Sequence, residues 1–241
     1  MNVALQQLSA SGAAAGRAAQ DSQRAYARGA GLFYLLVLVF DVAGLAITSS
    51  IEGGGDLGQT ARNVAASQGL YRVGLCLALI GSMSTIALAV GLYVTLKPVD
   101  SNLAMAALLF RASEAAIGAV GIVGSFAILQ IYLQASHAAA FDADQLRALI
   151  VMNPLGATTD VAAIFFSTGS TIFFFVFLKT RYIPRILSGW GVFASVLYLA
   201  IWFTGLVVPG APGLIQVVGS VPILIAEVST GLWLLIAGIR V

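Results

Sequence analysis

Four ionisable residues, Asp41, Arg111, Glu114 and Glu227, stand inside long apolar stretches of the chain. A charge in hydrocarbon costs roughly 2.5–3.5 kcal/mol even on a lenient insertion scale, so residues of this kind pair with one another or mark a pathway. Arg111 and Glu114 are three apart and therefore neighbours on one helix face. An arginine keeps its proton and carries five donors, so Arg111 can bridge two carboxylates. One arginine against Asp41, Glu114 and Glu227 still leaves up to two negative charges unmatched when all are ionised. Such a set can carry a proton or bind a small cation or amine. The bland alternative is an ion-pair cluster that only fixes helix packing.

Covalent catalysis finds little support. His137 is the only histidine. It lies near Asp142 and Asp144 in a loop, where it reads as solvated rather than as a metal ligand. No HExxH, Walker loop, GxSxG or paired CxxC occurs. The glycines Gly53 to Gly55 follow no strand and open no helix, so they are no phosphate cradle. Without a histidine in a span, haem is not expected. Cys76 is the only cysteine and reads as a small core residue. No catalytic residue, cofactor or metal is therefore expected, and the chain reads as a non-enzyme.

The elements that position the four charges follow from composition. Of 241 residues 59% are hydrophobic and 9% charged, against about 25% charged in ordinary soluble domains. Mean hydropathy is +0.96 over the whole length. This implies an all-α integral membrane protein. Six apolar segments fit spans of about 20 residues, at about 30–50, 72–96, 103–133, 157–178, 185–207 and 214–239. The apolar core of the first is longer than a signal peptide's and contains Asp41, so an uncleaved span is expected. Residues 1–27, rich in Ala, Ser, Gln and Gly, read as a flexible cytoplasmic tail before a single six-helix domain, 28–241. A net charge of +2, with dispersed basic residues, excludes nucleic acid as a partner.

Orientation comes from the loops. Arg17, Arg24, Arg28, Lys97, Lys179, Arg181, Arg185 and Arg240 fall on one side of a six-span arrangement, and Arg62, Arg72 and Arg147 on the other. Eight against three places both termini in the cytoplasm. At ~1.5 Å per residue, Asp41, Arg111, Glu114 and Glu227 all fall in or near the middle third of the bilayer. Arg111 and Glu114 continue into a small, polar stripe, Gly118, Gly121 and Ser125. Tyr34, Asp41 and Thr48 share a face of the first span, and Glu227, Thr230, Gly231 and Gly238 one of the last. These stripes should point inward.

Three further features carry expectations. Residues 140–152 form either a short surface helix, with Phe141, Leu146, Leu149 and Ile150 on one face, or a simple loop. Pro222, five residues before Glu227, is expected to kink its span. Phe173, Phe174, Phe175, Tyr182, Trp190, Tyr198 and Trp202 suit lipid contact and interfacial anchoring. A ligand cage would need them to converge beside a carboxylate.

Three segments together carry a family resemblance. One is Leu92-Tyr93-Val94-Thr95-Leu96-Lys97-Pro98-Val99-Asp100, running into Leu109-Phe110-Arg111-Ala112-Ser113-Glu114-Ala115. The second is Phe177-Leu178-Lys179-Thr180-Arg181-Tyr182-Ile183-Pro184-Arg185, continuing to Trp190-Gly191. The third is Glu227 with Gly231-Leu232-Trp233-Leu234-Leu235 and Gly238. Over about residues 28–240 the chain resembles the multi-pass membrane family known as domain of unknown function 4386. The resemblance implies a small, mainly bacterial, helical membrane protein and transfers no functional residue. It places Arg111, Glu114 and Glu227 inside its motifs and Asp41 outside them. It also marks Arg181, Tyr182, Pro184 and Arg185, a basic cytoplasmic turn in which Pro184 can open a span and the cations face anionic headgroups.

The resulting expectation is a six-helix bundle with both termini inside a bacterial cytoplasmic membrane, the lipid bilayer its surroundings. Its polar core comes from the first, third and sixth spans. The function that fits is a small-solute or proton-coupled carrier using Glu114, Glu227 and Arg111, with Asp41 as participant. The alternative is a membrane scaffold or regulatory protein.

Overall fold

A computed structural model describes residues 2–137, 143–152, 155, 157–208 and 213–240. The described residues form eight helices and no strand. They are α1 (Asn2–Glu52), α2 (Leu57–Ala66), α3 (Gln68–Leu96), α4 (Ser101–His137), α5 (Ala143–Val151), α6 (Thr158–Thr180), α7 (Arg185–Val207) and α8 (Gly213–Ile236). Six of them, α1, α3, α4, α6, α7 and α8, are long and apolar enough to cross a membrane. Their outward faces carry large apolar side chains, among them Val39, Leu45, Met83, Val123 and Val217, as a lipid solvent requires.

The six long helices form a closed ring: each packs on its successor, and α8 returns to α1. Short connections force antiparallel neighbours. Asp100 accepts the Leu103 amide at 3.0 Å and caps the start of α4. α1 and α3 approach through small residues, Ala30 on Gly91 and Gly44 on Gly74. At the end of the ring that bears the termini, Leu88, Leu92, Leu96, Phe173, Phe177 and Leu234 pack into one apolar cluster. The stretch read as a tail is helical from Asn2 onward and continuous with the first span. Within it Gln23 is buried and donates to the Thr95 carbonyl at 2.7 Å and the Tyr182 hydroxyl at 3.2 Å.

At the opposite end two short amphipathic helices cover the ring. α2 follows closely on Gly53 to Gly55, so a helix does begin just after these glycines, contrary to expectation. Asp56 caps it by accepting the Gln59 amide at 2.7 Å, and Thr60, Ala61 and Val64 are buried. α5 realises the helical alternative for 140–152 over Ala143–Val151. Leu146 is buried and Ile150 packs against the same cluster, while Leu149 is exposed; Phe141 and Asp142 lie outside the described residues.

Two expectations are corrected. Cys76 is exposed on the outward face of α3 instead of sitting in the core; a small thiol is apolar enough for that face. Gly238 lies beyond the end of α8, in the left-handed region at φ 67°, with its amide donating to Trp233 and Leu234 carbonyls. It terminates the helix and does not extend the Glu227 stripe. Pro222 is inside α8, and its own carbonyl accepts Trp190 Nε1 at 3.1 Å, tying α7 to α8.

Candidate functional site

The middle of the ring holds the site. Arg111 enters from α4 and is only 2% exposed, the largest sealed side chain described. Its aliphatic stem lies across α6 at Gly169. A Cβ at that position would stand 2.9 Å from Arg111 Cγ, so a residue without a side chain is what lets the arginine lie flat. The guanidinium then meets four groups. Nη1 is 3.1 Å from Glu114 Oε2 on its own helix and 3.8 Å from Glu227 Oε1 on α8. The same nitrogen donates to Ser170 Oγ at 3.4 Å, and Ser170 in turn donates to Glu227 Oε1 at 3.5 Å. The face of the Phe166 ring lies 4.7 Å from the guanidinium carbon, a cation–π distance. Arg111 Nε has no hydrogen-bond partner among the described residues.

The glutamates are less sealed than the arginine. The Glu114 side chain is 17% exposed and that of Glu227 22%. Both border a cavity of about 340 Å³, together with Asp41 and Tyr34 from α1 and Phe166, Tyr198 and Trp202 from α6 and α7. All four ionisable residues singled out from the sequence therefore line one space. Asp41 differs from the others: it makes no ion pair or hydrogen bond among the described residues. Its carboxylate rests against the backbone of α3 at Gly81, where any Cβ would collide with Asp41 Oδ1. Tyr34 belongs at once to the cavity wall and to the apolar cluster at the terminus-bearing end. Towards the other end the lining runs to Thr159, exposed in the first turn of α6.

Five helices, α1, α4, α6, α7 and α8, line this space. A core drawn from the first, third and sixth spans alone is therefore too small. Ser170, Phe166 and Thr159 were not anticipated, because a serine or phenylalanine in a span is ordinary in isolation. Tyr198 and Trp202, read as lipid contacts, instead face the cavity. They continue an edge-to-face series from Phe166, with centroids 5.6 and 5.7 Å apart. Phe173 and Phe174 are core residues, whereas Phe175 is exposed beneath Lys179.

The predicted stripes are placed as follows. Gly118, Gly121 and Ser125 border a second cavity of about 270 Å³ against Thr158 and Thr159 of α6. Gly231 packs on Tyr34, and Thr230 is fully buried. Thr48 turns its methyl to Gly74 of α3 and donates its hydroxyl back to the Gly44 carbonyl.

The basic turn stands apart, at the terminus-bearing end. Arg181 caps α6 in the left-handed region at φ 60°. Ile183 is buried, Pro184 immediately precedes α7, and Arg181 and Arg185 are exposed. Tyr182 holds the turn from both sides: its hydroxyl accepts from Gln23, and its carbonyl accepts the Arg240 amide at 3.2 Å. Among the described residues no group of three His, Cys, Asp or Glu is placed to hold a metal ion.

Residues 29–238 match the family described as domain of unknown function (DUF4386), and the chain belongs to that family. No curated protein and no solved structure matches it.

Proposed function

We propose that this protein is a small-solute carrier coupled to protons, in a bacterial cytoplasmic membrane, with the central cavity as its binding site. One observation carries the reading: four ionisable side chains from three spans border a single space, and the Arg111 pairs with Glu114 and Glu227 lie at its wall. Intramembrane charges around a cavity are the usual mark of a substrate or proton path. A volume of 340 Å³ suits a small solute. The arginine is sealed while both glutamates keep a face on the cavity, so they can exchange a proton or cation while Arg111 stays seated. The apolar cluster that shares Tyr34 with the cavity lies on its terminus-bearing side, which supports access from the other side.

Reconstitution tests this. In proteoliposomes, wild type should move protons or solute across the bilayer. Glu114→Gln and Glu227→Gln should each fold and lose at least about tenfold of that flux. Folded variants that transport as well as wild type would sink the reading.

A second reading has its own support. Arg111 is seated by two carboxylates, a hydroxyl and a ring, as in a packing device. In that case the charges fix the bundle, the protein is a scaffold or regulatory partner, and the 181–185 turn meets lipid or protein.

A further inference from the structure

We infer that Asp41, rather than either glutamate, receives the charge of the ligand, and that the ligand is a small organic amine. The inference rests on the cavity being a binding site. It begins with charge accounting. Arg111 carries one positive charge and holds both Glu114 and Glu227, the latter also bonded by Ser170. Each of those acids has a partner, although the single cation they share leaves one negative charge spread between them when both are ionised. Asp41 borders the same cavity with none among the described residues. Asp41 is exposed and feels Arg111 only from beyond ion-pair distance; a mid-span carboxylate with no ion pair is costly, and a bound cation lowers that cost. Gly81 is what makes room for it, since a Cβ there would drive the carboxylate from its seat.

The chemistry of the walls selects the kind of cation. A hard metal ion takes six to eight oxygens, and no group of three ligating residues stands ready among those described. An ammonium needs less: one carboxylate and the face of an aromatic ring suffice. Phe166 already carries Arg111 on its face. Among the described residues no cation lies over Tyr198 or Trp202, on the same wall. Asp41 and these two rings supply a carboxylate and aromatic surface within one 340 Å³ space. That volume admits an amine with a short hydrocarbon tail.

Thermal unfolding in lipid nanodiscs tests this with butylammonium, using sodium ion, neutral butanol and butyrate as controls. Butylammonium should stabilise wild type saturably and the controls should not. Asp41→Asn, isosteric and without a bonded partner to lose, should melt near wild type alone and need at least about tenfold more butylammonium for half its effect. Asp144→Asn, at an exposed acid of α5 that does not line the cavity, should respond within about threefold of wild type. An equal response of wild type and Asp41→Asn overturns the role of Asp41 but leaves the cavity a binding site. A sodium or butanol effect as large as that of butylammonium overturns the amine class. No response to butylammonium in wild type overturns the inference, while glutamate-dependent flux in proteoliposomes would still uphold the carrier reading. Should Asp41→Asn fail to fold, Trp202→Leu decides, since it keeps every charge: an unchanged half-saturation there overturns the inference.

Discussion

Arg111 shows how much one side chain depends on what surrounds it. Its stem needs Gly169, its charge needs Glu114 and Glu227, and its ring contact needs Phe166. Breaking a buried pair strands the remaining charges, at about 3–5 kcal/mol. Arg111→Leu should therefore lower the melting temperature in detergent sharply, since two carboxylates lose their cation; unchanged melting would deny Arg111 a packing role. The Arg111–Glu114 pair was legible from i, i+3 spacing alone, because a helix makes those residues neighbours. Ser170 and Gly169 were not. Nothing in their own span distinguishes them, and their meaning comes from a helix 59 residues away in sequence for Ser170.

Among elements, the long helices were legible to within a few residues apart from the start of α1, because hydropathy sums along each one separately. The short helices were harder. α2 has too few apolar residues to stand out, yet Asp56 caps it and Val64 anchors it on α4 and its neighbours. The reach of α1 back to Asn2 was also hidden, since polar, alanine-rich sequence suits both coil and helix. The 181–185 turn offers a sharper test. Arg181 holds φ 60°, a conformation that costs an L-residue about 1–2 kcal/mol. Glycine escapes that cost but loses more entropy on folding, by about 0.5–1 kcal/mol. Arg181→Gly should thus leave melting unchanged or raise it slightly, by up to ~1 kcal/mol. A clear fall would show that the cation itself anchors the turn, through lipid or a partner.

The whole molecule is a ring whose ends differ. The loop charges predict that both termini face the cytoplasm, with Arg62 and Arg147 outside. In a Cys76→Ser background, a membrane-impermeant maleimide should label Arg62→Cys in intact cells. It should reach Arg181→Cys only after the membrane is opened. The reverse pattern would invert the protein and turn the exposed Thr159 end of the cavity towards the cytoplasm.

Composition and residue spacing suffice to establish a multi-pass helical membrane protein of one family, with charges at mid-span that had to face inward. Hydrocarbon imposes that much: it demands long apolar helices with internally satisfied backbones, and it penalises every charge it contains. How the charges divide follows from the packing of the helices. Asp41 and Glu227 lie equally deep by residue count. Yet Glu227 meets Arg111 across the middle of the ring, from α8 to α4, while Asp41 is left against Gly81 with no partner among the described residues. Depth is a property of one helix and can be counted. Convergence depends on how far each helix turns about its axis and which neighbour closes the ring, and those are set by contacts between residues remote in sequence.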